Sequence, residues 1–99
     1  MKTYRGDRTI DGLEVTVDGN SLDQNFDLKV VSEDGFEWGY EGASPAQLAL
    51  AILADVRGNE HALANYELFM REIVANFNNE WEMTAADINE ALENIGARP

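Results

Sequence analysis

Residues 34–53 read DGFEWGYEGASPAQLALAIL, and this stretch decides the fold class. Aromatic residues at positions 36, 38 and 40 alternate with acidic residues or glycine, which is typical of a β-strand. The helix predicted next starts with a capping box formed by Ser44 and Gln47, has proline at its first helical position, and runs to about Arg57. Its apolar run at 48–54 indicates burial on most sides.

Turn signals divide the first half of the chain into short runs of β character. Asp-Gly pairs stand at 11–12, 18–19 and 34–35. Between the first two pairs, apolar residues from Leu13 to Val17 alternate with polar ones, which predicts a half-buried strand. The register of the hairpin around the first Asp-Gly pair is left open by the sequence.

The third Asp-Gly pair predicts a hairpin between residues 28–31 and 36–40. A three-residue loop at 33–35 sets Val30 opposite Trp38 and Leu28 opposite Tyr40, whereas a two-residue loop would set Val31 opposite Trp38. We prefer the three-residue loop because it keeps the apolar side chains on one face of the sheet.

The second half of the chain is predicted to be helical. A second helix begins near Asn59, with an apolar stripe from Leu63 to Phe77 at helical spacing. A third begins at Thr84, where Asp87 completes a capping box, and ends at Gly96. We therefore expect a single α+β domain over residues 1–99, β-rich over 1–43 and helical over 44–99. Its antiparallel sheet of three to four strands would be followed by about three helices packed on one face.

The composition narrows the functional classes. The net charge is −12, from 19 acidic against 7 basic residues, and this disfavours direct binding to nucleic acid or to anionic membranes. There is no cysteine, and no apolar signal segment precedes residue 10. No apolar run is long enough to span a bilayer. We expect a cytoplasmic protein that acts inside a host cell.

No residue pattern points to catalysis, and the protein is expected not to be an enzyme. His61 is the only histidine, and without cysteine it has no partner for a transition-metal site. Residues 18–23 resemble a calcium loop only at their first and third positions, so we interpret them as a polar turn. Nucleophile elbows, phosphate loops and dinucleotide fingerprints are missing. No catalytic residue, cofactor or metal is predicted.

The acidity has three interpretations: a solvated surface, adaptation to high salt, or mimicry of a nucleic-acid backbone. The aromatics at 36–40 and Trp81 are expected in the core rather than in a recognition patch. An open sheet face would carry Glu14, Thr16, Glu37 and Glu41. The acidic residues proposed for protein binding are Glu14, Glu37, Glu41, Asp87, Glu90 and Glu93.

The opening stretch also carries a family resemblance. Together with Tyr4-Arg5-Gly6, Trp81, Met83-Thr84 and Ile88, it resembles the signature of a family of short prokaryotic proteins, known only as a domain of unknown function. Its members occur in bacteria, haloarchaea and their phages. The resemblance covers nearly the whole chain and implies a small stand-alone domain, often near mobile elements. It implies no catalytic residues.

Charge and resemblance together suggest a functional hypothesis. We expect a non-enzymatic protein-binding domain from a phage or mobile element that engages a basic, nucleic-acid-binding host protein. An inhibitor of CRISPR or restriction systems would act in this way. The alternative is a small acidic accessory domain that forms a homodimer through an apolar patch.

Overall fold

The computed structural model describes residues 2–99 and contains a four-stranded antiparallel sheet and three α-helices. This confirms the predicted α+β class. In chain order the elements are β1 (Thr3–Thr9), β2 (Gly12–Val17), β3 (Asn20–Ser21), α1 (Ala43–Arg57), α2 (Asn59–Glu72), a 3-10 turn (Val74–Asn76), β4 (Trp81–Thr84) and α3 (Ala85–Asn94).

The sheet has the strand order β3-β2-β1-β4. The first hairpin, whose register the sequence left open, pairs Thr9 with Gly12 across a two-residue loop. The second hairpin turns at Asp18 and Gly19, which both have positive φ, as a two-residue loop between twisted strands requires. The alternation predicted from Leu13 to Val17 therefore belongs to β2.

Only one face of the sheet is covered by helices. Tyr4, Gly6, Val15 and Trp81 point to that side and are buried. Gly6 is required there, because a Cβ atom at this position would lie 2.2 Å from Nε1 of Trp81. The opposite side, which we call the open sheet face, carries polar residues: Thr3, Arg5, Asp7, Thr9, Glu14, Thr16 and Glu82.

Helix α1 is the centre of the core, as predicted. Every residue from Pro45 to Leu53 is buried. A hydrogen bond from the Tyr4 hydroxyl of β1 to the carboxylate of Asp55 ties the sheet to the C-terminal half of α1. The helix ends at Arg57, as predicted, and the residue that follows it is Gly58, whose φ of 94° suits glycine. No helix within residues 2–99 is both long enough and apolar enough to cross a membrane.

The hairpin predicted from residues 28–40 is wrong. Residues 22–42 contain no strand, and Val30 and Tyr40 are 52% and 51% exposed instead of packing on Trp38 and Leu28. The reason is the buried side chain of Gln47. Its Oε1 accepts hydrogen bonds from the backbone N–H groups of Val31 and Ser32, at 2.6 and 3.0 Å. We call this arrangement the Gln47 clamp.

The Gln47 clamp also binds two carbonyl groups of the same segment. Nε2 of Gln47 donates to the carbonyl oxygens of Gln24 and Lys29, at 2.7 and 3.1 Å. One side chain thus supplies four hydrogen bonds that a partner strand would otherwise make. Four backbone groups between residues 24 and 32 thus find partners without strand pairing.

The capping box predicted at Ser44 is also wrong. Helix α1 begins two residues earlier than the capping box implies, at Ala43, with Gly42 as N-cap and no side-chain cap; the Gln47 side chain is used in the clamp. The Ser44 hydroxyl instead lies 2.8 Å from that of Ser32. At the third helix the prediction is confirmed: Thr84 and Asp87 form a reciprocal capping box.

The division into a β-rich half and a helical half fails at one element. Strand β4 lies between α2 and α3 and pairs with β1, so the second half completes the sheet. Helix α2 ends at Glu72, before the predicted stripe does, and Leu63 at the start of that stripe is exposed. The buried positions of α2 include Ala62, Tyr66 and Phe69.

Candidate protein-binding surface

The open sheet face brings together acidic side chains from three strands. Asp7 of β1 lies directly opposite Glu14 of β2, so two like charges face each other across the sheet. Such pairs are destabilising unless a cation lies between them. Within residues 2–99, neither carboxylate forms an ion pair. The pair is therefore a negative site without a direct ion-pair partner, on the open sheet face.

The edge of the open sheet face continues this negative surface. Arg5 of β1 pairs with Glu82 of β4 at 3.2 Å, and both side chains are 60% exposed. A shallow depression is lined by Arg5, Asp7, Glu80, Trp81 and Glu82, so three carboxylates and one guanidinium border it. The arginine can neutralise only part of that charge. An exposed pair of this kind contributes little to stability.

Three aromatic rings lie beneath this edge on the covered side. Trp38 and Trp81 meet edge to face, with ring centroids 5.9 Å apart, and Phe77 stacks on Trp81 at 4.4 Å. Trp38 is fully buried, as the sequence predicted for the aromatic stretch. Pairs with these geometries add about 0.5–1.5 kcal/mol each beyond the area they bury. They give the edge of β4 a rigid base.

Arg8 is held against the same aromatic cluster by three interactions. Its guanidinium lies 4.8 Å from the centre of the Trp38 ring, donates from Nη2 to the Trp38 carbonyl oxygen at 2.8 Å, and forms an ion pair with Glu37 at 2.8 Å. Stacking and charge pairing together fix the side chain. Glu37 therefore has a structural partner and adds little free negative charge to the surface.

The acidic residues predicted in the first half of the chain do not lie on one face. Glu14 is exposed on the open sheet face. Glu37 belongs to no strand and pairs with Arg8, whose side chain points to the helical side of the sheet. The expectation that Glu37 and Glu14 share a sheet face is therefore wrong. Glu41 is exposed in the turn before α1.

The acidic residues predicted in the second half all belong to α3. Asp87 accepts the hydrogen bond of the capping box, whereas Glu90 and Glu93 are exposed. Helix α3 is joined to the last residue of α1 by a hydrogen bond that Asn89 accepts from Arg57 at 3.2 Å. The acids of α3 thus lie with the helices, while Glu14 projects from the opposite side of the sheet.

His61 lies in a separate depression at the junction of α1 and α2, together with Arg57, Glu93 and Arg98. Burial lowers the pKa of His61, and the nearby positive charge of Arg57 lowers it further. The backbone of Arg98 is bound on both sides by Asn65, which donates to its carbonyl oxygen at 3.0 Å and accepts from its N–H at 2.8 Å.

Residues 18–23 contain the β2–β3 turn at Asp18 and Gly19, which was interpreted from the sequence as a polar turn, followed by the short strand β3. The carboxylate of Asp18 accepts a hydrogen bond from the backbone N–H of Thr3 at 2.9 Å, which ties the turn to β1. Across residues 2–99 no group of three or more acidic or histidine side chains is arranged to hold a metal ion.

Sequence reasoning missed the acidic residues that the sheet brings together, namely Asp7, Glu80 and Glu82. A signal for them was present. Residues 4–7 read YRGD, in which Tyr4 and Gly6 alternate with Arg5 and Asp7 as in a strand, and glutamates flank Trp81 on both sides at 80–82. Tyr40 was missed for another reason: the incorrect hairpin placed it in the core.

The comparisons with known proteins identify the family of the chain. Residues 4–94 match the model of a family of unknown function, DUF6166, and the chain belongs to this family. The match confirms that the resemblance seen in the sequence extends over nearly the whole chain. No curated protein and no solved structure gives a significant match.

Proposed function

We propose that this chain is a non-enzymatic protein-binding domain whose open sheet face engages a basic surface of another protein. The observation that carries the proposal is the Asp7–Glu14 pair. Two carboxylates opposed on neighbouring strands disfavour the folded state, and neither forms an ion pair within the described residues. Like charges placed opposite each other on neighbouring strands reduce stability, and such a cost on an exposed surface is typical of a functional site.

The overall charge supports a basic partner. With 19 acidic against 7 basic residues, the domain attracts positively charged surfaces over long range and repels nucleic acid. Proteins that bind DNA or RNA carry such basic surfaces. We propose a nucleic-acid-binding host protein as the partner and a phage or mobile element as the origin of the domain. In the specific form of this proposal, the domain occupies the nucleic-acid-binding groove of a CRISPR or restriction protein and so inhibits it.

A capture experiment with matched variants tests the proposal. The immobilised domain is incubated with host lysate at about 50 and 500 mM salt, because electrostatic association weakens as salt rises. We expect a nucleic-acid-binding protein to be retained at low salt and released by duplex DNA or RNA. Retention should fall for the double variant Asp7→Asn/Glu14→Gln.

The control is Glu60→Gln/Glu72→Gln, which removes the same charge from exposed positions of α2. If both double variants lose retention equally, bulk charge and not the open sheet face is responsible. If no nucleic-acid-binding protein is retained at low salt, the partner class is wrong.

One observation favours self-association as a second candidate. Ile10 is fully exposed at the tip of the β1–β2 hairpin, and Leu13 beside it is 38% exposed. Two apolar side chains at one tip can form a small symmetric contact. Sedimentation of the wild-type protein and of Ile10→Ser/Leu13→Ser at increasing concentration distinguishes the two candidates, since capture of a basic partner does not require a dimer.

A further inference from the structure

The chain has a second surface feature, a cleft of about 790 Å³ on the side of the sheet edge that carries Arg8. We call it the Tyr40 cleft. It is lined by Arg8, Trp38, Gly39, Tyr40, Phe77, Asn78, Asn79 and Glu80. Three of these residues, 38–40, come from the WGY centre of the sequence stretch that carries the family resemblance. Because the predicted hairpin is absent there, that stretch is free to line a cleft.

The two walls of the cleft are held together by backbone contacts. The N–H of Gly39 donates to the carbonyl oxygen of Val74 at 3.1 Å. Gly39 has a φ of 86°, and a Cβ atom there would lie 3.3 Å from the carbonyl oxygen of Phe77. Only glycine satisfies both conditions without strain. The loop that carries Tyr40 is thereby fixed against the segment that leads to Glu80.

The ring of Tyr40 is also positioned by a glycine. A Cβ atom at Gly42 would lie 2.9 Å from Cε2 of Tyr40, so the ring rests directly on the backbone of residue 42. The φ of Gly42, 171°, is accessible to any residue, and the requirement for glycine is therefore steric. With 51% of Tyr40 exposed, the ring offers surface to a ligand from a fixed position.

Among the described residues, the charged group of the cleft lining without an ion-pair partner is the carboxylate of Glu80. Arg8 is the only cation in its lining, and it is already neutralised by Glu37 at 2.8 Å and stacked on Trp38. Glu80 forms no ion pair within residues 2–99 and lines both the Tyr40 cleft and the depression on the open sheet face. The side-chain amides of Asn78 and Asn79 add exposed hydrogen-bond acceptors.

We propose that the Tyr40 cleft binds an arginine side chain of the partner. A guanidinium group is planar and cationic, so it can stack on an exposed aromatic ring and donate to a carboxylate and to amide oxygens at the same time. Tyr40 supplies the ring, Glu80 the carboxylate, and Asn78 and Asn79 the amide oxygens. A lysine ammonium can satisfy the charge but not the planar geometry.

This inference rests on the proposed function, because the arginine belongs to the basic partner, but its test needs only the purified domain. The probe is a blocked Gly-Arg-Gly peptide, with Gly-Lys-Gly as its equal-charge counterpart, titrated into the ¹⁵N-labelled protein. We expect saturable shifts of the amide signals at 39–42 and 78–80 and about tenfold weaker binding of the lysine peptide.

Two variants and a control assign the effect to the cleft. Glu80→Gln and Tyr40→Leu should each weaken binding of the arginine peptide by about tenfold. Glu93→Gln removes the same charge on α3 and should leave binding unchanged. Amide spectra of the free variants verify that the fold is intact. Equal binding of both peptides, shifts away from the cleft, or an equal effect of Glu93→Gln would each overturn the inference.

The two proposals can fail separately. If the arginine peptide binds as expected but no basic protein is captured from lysate, the cleft inference stands and the proposed partner class is wrong. If a partner is captured through the open sheet face and Tyr40→Leu does not weaken its retention, the proposed function stands and the cleft inference is refuted.

Discussion

Replacing Gln47 with methionine tests the principal interaction that holds residues 24–32 to the core. Methionine has a similar length and volume but neither donates nor accepts a strong hydrogen bond, so the variant removes all four bonds of the Gln47 clamp without leaving a large cavity. The free energy of unfolding should fall because backbone groups near the core lose their partners.

The size of the loss follows from which groups can reach water. Ser32 is buried and Val31 half-buried, and each backbone N–H left without an acceptor there costs about 1–3 kcal/mol. The carbonyl oxygen of Lys29 belongs to an exposed residue and can be solvated at little cost. The expected loss is thus about 2–6 kcal/mol, a large part of the roughly 5–15 kcal/mol typical of small domains.

Urea unfolding and amide hydrogen exchange measure the two parts of this prediction. We expect the urea midpoint to fall by about 1–3 M and the amides of Val31 and Ser32 to lose protection from hydrogen exchange. Amides inside α1 should stay protected to the extent that the free energy of global unfolding allows. The matched control is Leu48→Met, a volume-conserving change at the next residue of α1, which should cost less than about 1.5 kcal/mol. If Gln47→Met is as stable as the control and both amides stay protected, the clamp does not hold this segment.

The remaining predictions concern the sheet, a helix cap and pH. Gly6→Ala should destabilise the protein by about 1–3 kcal/mol, because the new methyl group meets the Trp81 ring. In a double-mutant cycle measured by urea unfolding, Trp81→Phe should relieve much of that cost, and purely additive losses would contradict the contact. Thr84→Ala should cost about 1 kcal/mol through loss of the cap of α3, measured by thermal unfolding, and an unchanged midpoint would refute it. Because the pKa of His61 is lowered in the folded state, His61 takes up a proton more readily in the unfolded chain. The free energy of unfolding should therefore fall as the pH drops below about 6.5. His61→Asn should remove this part of the pH dependence, and identical pH profiles of the two proteins in urea titrations would contradict it.

Much of the secondary structure could be predicted from local sequence, because its signals act over a few residues. The alternation from Leu13 to Val17, the apolar run of α1, its end at Gly58 and the capping box at Thr84 depend on neighbours within one or two turns. The charge of the domain is also fixed by composition. These features limited the fold to the α+β class before any contact was known.

The segment before α1 could not be predicted in this way. The same alternation of aromatics that is typical of a strand is present at 36–40, but the side chain of Gln47, 16 residues after Val31, takes the hydrogen bonds that strand pairing needs. A residue that reads locally as a helix cap acts instead in a long-range contact. Its role depends on which groups the folded core brings within reach.

The candidate site shows the same division. The sequence by itself determined that the surface is acidic and that Trp38, Gly39 and Tyr40 stand together. Only the tertiary structure decided that Asp7 faces Glu14 and that Glu80 shares a cleft with Tyr40. The physical reason is that net charge depends only on composition, and local propensity depends only on neighbouring residues. Strand register and the contacts of Gln47 depend instead on residues that are far apart in the sequence and meet only in the folded chain.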